Sequence, residues 1–340
     1  MNMDRKNFLK LSGALAAGSS LIKPVINSKE LNSEPVFPKA LQTGDKVAFV
    51  APAGIIFDKD DFDRMKRVME LKGYRVIFGE NVRNRWGYFS GTDRERAEDV
   101  NRMFGDPKVK AIIAVRGGWG CSRILEYIDF ELIKKNPKIY CGFSDNTALE
   151  MAIFKKTGLV TFHGPNGNSE WTDFTRRYFS SVLKDGEKTV MEMPAADKPD
   201  ARTIQSGKAS GKLLGGNLTI IVSMLGTPYM PDLTGAILFA EDIGEQVYRI
   251  DRMLTQLKLA GILDKISGFV FGKCYDCDSG SEPTFQLSEI LNQHLEPLGI
   301  PAFSGSMISH LDNIFTVPQG ASAEIDADEH TIRLLEPAVS

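Results

Sequence analysis

The chain is poor in the residues that commonly form metal sites or disulfide frameworks, since its 340 residues include four cysteines and four histidines. It also lacks an excess of either charge, because 41 basic side chains nearly balance 44 acidic ones. No basic stripe is interleaved with aromatic residues, so nucleic-acid binding is not expected. The remaining composition is that of a globular protein, with 42% hydrophobic residues and a length sufficient for two packed cores.

No apolar stretch is long enough to cross a bilayer, so stable membrane insertion is not expected. Residues 4–10 (DRKNFLK) are basic and precede a short run of small and apolar residues, 11–18 (LSGALAAG). This order is typical of an export signal, and residues 5–10 are similar to a twin-arginine signal with lysine as the second basic residue. We therefore interpret residues 1–38 as an export signal and linker of a periplasmic or exported protein. An ordinary N-terminal helix would instead leave the protein cytoplasmic.

The four cysteines fall into two kinds of sequence environment. Cys121 and Cys141 lie in predicted core elements, so we expect buried thiols. Cys274 and Cys277 have the spacing of a metal or redox pair, but neither a second pair nor a nearby histidine accompanies them. A zinc or redox protein is therefore the least favoured of the functions considered.

The first half alternates apolar runs with amphipathic segments. Strands are predicted at residues 46–52, 75–79, 109–115, 138–143 and 159–162, with helices at 61–71, 92–104, 121–127, 147–156 and 171–183. Apolar strands separated by helices predict a parallel sheet covered on both faces. We therefore expect residues 39–188 to form a doubly wound α/β domain, in which ligands bind beyond the carboxyl ends of the strands.

The second half has a more mixed pattern. Strands are predicted at residues 211–214, 236–240 and 266–272, helices after 217 and at 247–259 and 287–296, and a hairpin at 321–325 and 331–335. Residues 191–206 are polar and contain two prolines, which indicates a crossover between domains. The fold class is thus α/β, with residues 207–340 as a mixed α/β C-terminal domain.

A serine, Ser144, stands where a predicted strand ends and a helix begins (YCGFSDNT). Thr147 and Glu150 have capping-box spacing, which supports a helix start. On such a turn a serine hydroxyl can be exposed, while backbone N–H groups at the helix start face a developing negative charge. Alternatively, Ser144 or Asp145 only caps the helix. Asn146 replaces the second glycine of a G-x-S-x-G elbow, and asparagine tolerates a positive φ better than most residues.

Two adjacent glycines follow another predicted strand, in residues 116–120 (RGGWG). Backbone N–H groups at Gly117 and Gly118 can approach a ligand closely, which suits an oxyanion hole. Arg116 is a candidate for holding a substrate carboxylate. A tight turn without a ligand explains the same pattern, and the spacing does not match a dinucleotide-binding loop.

Two of the four histidines are candidates for a site. His163 lies at a predicted strand end, and His310 lies in a polar loop, where functional residues are common. His294 falls in a predicted amphipathic helix and His330 in the hairpin turn. Acidic residues at 241–245 follow a predicted strand and offer carboxylates to orient an imidazole, although clustered acids are more often solvated.

Together these motifs resemble the LD-carboxypeptidases of the serine peptidases, which include murein tetrapeptide carboxypeptidases and microcin self-immunity enzymes. The resemblance covers about residues 41–337. Its blocks, in chain order, are GDK at 44–46, VAPA at 50–53, RGGWG at 116–120, GFSDNT at 142–147, TFHGP at 161–165, GGNL at 215–218, FAEDIGE at 239–245, YRIDR at 248–252, and His310 through PQG at 318–320.

The resemblance implies a triad in which Ser144 is the nucleophile, His310 the base and Glu241 the orienting acid, with Glu245 as a reserve candidate for the acid. It implies hydrolysis by acyl transfer through an acyl-enzyme. Backbone N–H groups near Gly118 and of Asp145 would hold the oxyanion. No metal or cofactor is predicted, because these groups suffice for hydrolysis.

The implied substrate is a murein peptide whose terminal D-residue follows an L-centre, with Arg116 as a candidate anchor for its carboxylate. Two positions depart from the family pattern: Ser309 replaces a glycine before the histidine, and Gln319 replaces a leucine after the proline. One alternative is a self-immunity amidase acting on a peptide–nucleotide conjugate, for which Trp171 is a candidate base platform. Another is a catalytically silent wall-peptide binder. A homodimer is also considered.

Overall fold

The computed structural model describes residues 34–277 and 284–340, and Pro35–Ser340 forms one compact unit. The predicted export signal lies in residues 1–33, outside the described residues. The end of the predicted linker is packed, because Val36 forms a parallel bridge with Leu159. The Ser340 N–H donates to the Pro38 carbonyl at 2.8 Å.

The described residues form strands and helices that we number in chain order. The strands are β1 (Lys46–Val50), β2 (Arg75–Phe78), β3 (Val109–Ala114), β4 (Ile139–Gly142), β5 (Thr161–His163), β6 (Val190–Met191), β7 (Arg202–Gln205), β8 (Lys208–Asn217), β9 (Ile237–Glu241), β10 (Gly268–Gly272), β11 (Ala302–Ser306), β12 (Val317–Gln319), β13 (Ser322–Asp326) and β14 (Thr331–Leu334). The α-helices are α1 (Asp60–Leu71), α2 (Asp93–Gly105), α3 (Cys121–Ile124), α4 (Phe130–Lys135), α5 (Thr147–Thr157), α6 (Asp173–Leu183), α7 (Leu218–Ser223), α8 (Val247–Leu259) and α9 (Leu287–Leu295).

The first sheet has the order β12-β5-β4-β3-β1-β2, and β1 to β5 are parallel. Its two faces carry different core clusters. Ala48 and Val50 of β1 pack with residues of α2 and α5, whereas Val47 and Phe49 pack with residues of α1 and α6. Helices on both faces confirm the doubly wound arrangement, and they explain why the central strands are continuous apolar runs.

The second sheet has the order β6-β14-β13-β8-β9-β10-β11-β7. Strands β8 to β11 are parallel, and the flanking pairs are antiparallel, which confirms the mixed α/β second half. The polar segment 191–206, predicted as a crossover, includes the short edge strand β7 and the end of β6. These strands are only two and four residues long, too short to show a periodic apolar pattern, so the prediction did not include them.

The second half of the chain contributes a strand to the first sheet and contacts elements of the first half. Strand β12 pairs antiparallel with β5, so the second half supplies an edge strand of the first sheet. The Asn217 N–H at the end of β8 donates to the Thr147 hydroxyl on α5 at 2.9 Å. The carboxyl ends of the parallel strands in both sheets therefore lie close together. No helix within residues 34–277 and 284–340 is long and apolar enough to span a membrane.

Candidate active site

Ser144 occupies a sharp turn between β4 and α5, within a single 3-10 turn, Ser144–Asn146. Its φ is 65°, a left-handed conformation that is uncommon for a residue other than glycine and often marks a functional site. A Cβ atom added at Gly117 would lie 2.7 Å from the Ser144 Cβ and 3.0 Å from its Oγ. The turn therefore needs a glycine beside the serine, and the glycine pair lies against the candidate nucleophile.

Asn146 stabilises this turn through its side chain. Its φ is −62°, so the tolerance of asparagine for a positive φ is not used at this position; Ser144 takes the left-handed conformation instead. The Asn146 Oδ1 accepts a hydrogen bond from the Tyr140 hydroxyl at 2.8 Å. Its Nδ2 donates to the carbonyls of Phe143 at 3.1 Å and Arg116 at 3.3 Å. Asn146 thus connects the serine turn to the turn that begins at Arg116.

The Asp145 side chain is structural. It is buried, and its Oδ2 accepts a hydrogen bond from the Cys121 N–H at 2.7 Å at the start of α3. Burial raises the pKa of this carboxyl, and the Cys121 hydrogen bonds and the Arg96 charge oppose the shift. The predicted oxyanion contact concerns the Asp145 backbone N–H, which is separate from this side-chain role.

The remaining oxyanion and substrate candidates lie together across the turn. Gly118 has a φ of 116°, which favours glycine, and it is exposed. The half-buried Arg116 donates from Nη1 to the Ile55 carbonyl at 3.3 Å. Its Nε is buried and makes no hydrogen bond to any described residue. The Arg116 guanidinium therefore packs against the loop that contains Gly54 and Ile55.

His310 and Glu241 form a direct pair at the carboxyl end of the second sheet. The His310 Nδ1 lies 2.8 Å from the Glu241 Oε2, and Glu241 is fully buried at the end of β9. Sequence reasoning assigned no role to Asn217, which lies opposite Glu241 in the β8–β9 register. Its Nδ2 donates to the Glu241 Oε1 at 3.3 Å and to the Asp242 Oδ1 at 3.1 Å. The GGNL block was the available signal, since it places Asn217 at a strand end.

Opposing effects set the protonation of this pair. Burial lowers the pKa of His310, but the hydrogen bond and charge of Glu241, together with the Asp242 charge, raise it above the ordinary value of 6.5. Burial, followed by the Glu241 charge, raises the pKa of Asp242 to about 6. His310 is therefore a stronger base than an isolated imidazole, as a group that removes a proton requires.

The histidine loop is fixed by a residue that departs from the family pattern. The Ser309 hydroxyl donates to the Lys273 carbonyl at the end of β10. The reserve acid, Glu245, lies elsewhere, because its carboxylate pairs with Arg249 at 3.6 Å. Of the two acids considered, Glu241 is the one that contacts His310.

The pair lies beside the serine turn. The His310 ring centroid is 4.9 Å from that of Phe143, the residue before Ser144. Within the described residues no hydrogen bond joins the Ser144 hydroxyl to His310. Such bonds often tighten only when substrate is bound. The predicted nucleophile turn and the predicted base thus lie together at the carboxyl ends of the two sheets.

Other sequence candidates lie outside this arrangement. Trp171 is 6% exposed and donates to the Gly167 carbonyl at 3.2 Å, so it is a packing residue and not a platform for a base. Cys274 and Cys277 are joined by a disulfide, whereas the other two cysteines are free and buried, as predicted. No group of three or more metal-ligating side chains comes together in the part of the chain that the structure describes.

The fold and the site define a two-sheet α/β protein with a strained serine turn beside a buried glutamate–histidine pair. The LD-carboxypeptidase N-terminal domain matches residues 47–164, and the LD-carboxypeptidase C-terminal domain matches residues 210–325. The chain belongs to the LD-carboxypeptidase family.

Individual relatives agree with this assignment over most of the chain. A probable murein peptide carboxypeptidase of Bacillus subtilis is 38% identical over 309 residues, which cover 89% of this chain and 95% of that protein. The apo structure of the microcin C7 self-immunity protein of Escherichia coli is similar with a TM-score of 0.83 at 29% identity, covering 90% of this chain and all of that one. Muramoyltetrapeptide carboxypeptidase from Oxalobacter formigenes has a TM-score of 0.74 at 32% identity, covering 85% and 97%.

Proposed function

We propose that this protein is a serine-type LD-carboxypeptidase that removes the terminal D-amino acid from murein peptides. The observation that carries the proposal is the 2.8 Å contact between His310 and Glu241, placed beside a serine whose φ is 65°. A buried carboxylate bonded to one imidazole nitrogen leaves the other nitrogen to accept a proton. The names of the relatives supply the substrate class.

In the proposed reaction, His310 takes the proton of the Ser144 hydroxyl as its oxygen attacks the carbonyl carbon before the terminal D-residue. Glu241 accepts the Nδ1–H of His310 and stabilises the imidazolium that forms. Backbone N–H groups of Gly118 and Asp145 face the oxygen that becomes negative. His310 then gives the proton to the departing amine, and water, activated in the same way, releases the acyl group from Ser144.

Mass spectrometry of a murein tetrapeptide incubated with native and Ser144→Ala protein tests the mechanism. We expect the native protein to release D-alanine and the variant to be slower by at least about a thousandfold. Ser180→Ala is a matched control, because the Ser180 hydroxyl lies on α6 and contacts Lys72. Undiminished release by Ser144→Ala would contradict the serine mechanism. No release by the native protein from any LD-peptide would instead favour a wall-peptide binder.

The likeness to a self-immunity protein favours a second candidate, an amidase that cleaves a peptide–nucleotide conjugate. Trp171 is buried, but Trp119, next to the glycine pair, is 48% exposed and could stack on a base. Turnover of the tetrapeptide and of aspartyl sulfamoyl adenosine by native and Trp119→Ala protein separates the two functions. We expect the tetrapeptide to be preferred and its turnover to survive the change; preference for the adenosine compound, lost in Trp119→Ala, would support the amidase.

We also propose that residues 1–38 direct the protein out of the cytoplasm. The order of basic and then apolar residues over 5–18 is that of an export signal, which supports this proposal. Fractionation of cells that express the chain with Arg5 and Lys6 intact or changed to glutamine checks this. Retention of both forms in the cytoplasm would contradict export.

A further inference from the structure

A second buried glutamate–histidine pair lies behind the serine turn. His163 ends β5 and is 3% exposed, and Glu150 lies on α5 and is fully buried. The His163 Nδ1 is 3.6 Å from the Glu150 Oε2, which is a close contact but longer than a good hydrogen bond. Neither ring nitrogen of His163 has a hydrogen-bond partner among the described residues. Burying such groups costs free energy, so their retention calls for an explanation beyond packing.

The ring of Phe143 lies between this pair and the catalytic candidates. The His163 ring meets the Phe143 ring edge to face, with centroids 6.1 Å apart and an interplanar angle of 75°. Phe143 in turn meets His310 at 4.9 Å and 62°. The three rings form a continuous path from β5 to the histidine loop, and Phe143 is bonded directly to Ser144.

Residues from several elements surround the His163 ring. Glu150 lies on one side, and its Oε2 accepts a hydrogen bond from the Gln319 Nε2 at 3.1 Å. The Gln319 Oε1 accepts from the Gly215 N–H at 3.0 Å, so the carboxylate is tied to β12 and β8. Phe239 of β9 packs against His163 from another side, with ring centroids 5.5 Å apart. The ring is therefore held by residues from both halves of the chain.

We propose that His163 is a positioning residue for the hydrolysis inferred above. Its ring holds Phe143, and Phe143 holds the His310 imidazole in its contact with Glu241. The kinetic part of this proposal rests on the proposed function. The geometric part does not, because the His310–Glu241 contact can be observed without any substrate.

The test compares His163→Leu, which removes the aromatic ring, with His163→Phe, which keeps it. We expect kcat for the tetrapeptide to fall about 10- to 100-fold in the leucine variant with KM within about threefold, since a small displacement of a catalytic group has costs of this size. The phenylalanine variant should remain within about threefold of native. His294→Leu is the matched control, because it breaks another acid–histidine pair, with Asp251 at 2.7 Å, on α8 and α9.

A second readout is the NMR signal of the His310 Nδ1 proton, assigned by its loss in a His310→Gln variant. We expect this signal to shift or broaden in His163→Leu and to be retained in His163→Phe and in the His294 control. A leucine variant with native kcat and a native proton signal, even if its melting temperature fell, would reduce His163 to a packing residue. A phenylalanine variant as impaired as the leucine variant would also overturn the proposal. If native protein cleaves no LD-peptide, the NMR comparison alone decides it.

Discussion

At the residue scale, burial and the Glu241 carboxylate act on His310 in opposite directions. Burial disfavours the imidazolium, whereas the hydrogen bond at 2.8 Å and the acidic charges favour it and prevail. A general base must be neutral before it acts. The proposed activity should therefore be lost as the pH falls through the raised pKa of His310.

Replacing Glu241 by glutamine keeps the shape of the side chain but removes its charge. We expect kcat/KM to fall roughly 10²- to 10⁴-fold. The acidic limb of its pH profile should also move to lower pH, because burial of His310 then acts with less opposition. The measurement is tetrapeptide hydrolysis from about pH 5 to pH 8, with Glu245→Gln as the control. A limb that stays in place in Glu241→Gln would show that Glu241 does not set the basicity of His310.

Asp242 gives a prediction about stability. Burial raises its pKa from 3.8 to about 6, so the folded chain binds this proton more tightly than the unfolded chain does. The resulting stabilisation is complete below about pH 4 and is lost as the pH rises through 6. We expect Asp242→Asn to remove this loss, which is roughly 3 kcal/mol at most in the free energy of unfolding. Urea unfolding across this range checks it, with the exposed Asp264→Asn as control; equal slopes in all three proteins would refute it.

At the scale of elements, the strand–turn–helix around Ser144 depends on one side chain for its rigidity. Changing Asn146 to glycine restores the G-x-S-x-G pattern but removes its side-chain hydrogen bonds, including those to the Phe143 and Arg116 carbonyls, and leaves the buried Tyr140 hydroxyl without its acceptor. We expect a loss of about 1–3 kcal/mol in the free energy of unfolding and a lower kcat. Tyr140→Phe, which removes only one of these bonds, should lose less. An Asn146→Gly protein as stable and active as native would show that the turn holds without Asn146.

Some elements of the fold can be predicted from the sequence and others cannot. The central strands and long helices are predictable from their hydrophobic patterns. A strand such as β3 is buried on both faces, so its sequence is an almost continuous apolar run. The short strands β6, β7 and β12 are not predictable, since partners distant in sequence define them, and β12 contains Pro318. Ser144 and Glu241 lie at strand ends, so the sequence pattern indicates them as candidate site residues. Only the resemblance to the family distinguishes His310 from the other histidines. The role of Asn217 depends on Glu241, its neighbour on β9, and that pairing is visible only in the structure.

At the scale of the whole molecule, the first half of the chain depends on the second half for a strand and for hydrogen bonds. The first sheet takes β12 from the second half, and Gln319 on that strand bonds to both Glu150 and Gly215. A fragment limited to the first half exposes the edge of β5 and leaves Glu150 without its donor. Unpaired edges promote association with other chains.

We therefore expect residues 34–188, expressed alone, to aggregate or to unfold without cooperativity. Co-expression with residues 189–340 should recover a soluble complex. Sedimentation velocity and thermal unfolding provide the measurements, with residues 34–340 in one chain as the reference. A monomeric first-half fragment that unfolds cooperatively would contradict this interdependence.

Strand β12 also has a consequence for biosynthesis. Residues 317–319 leave the ribosome long after β5, the strand with which they pair. The edge of β5 therefore stays unpaired for much of translation, which leaves the nascent chain open to pairing with other chains. The proposed site is therefore complete only late in synthesis, because His310 and β12 both leave the ribosome long after Ser144.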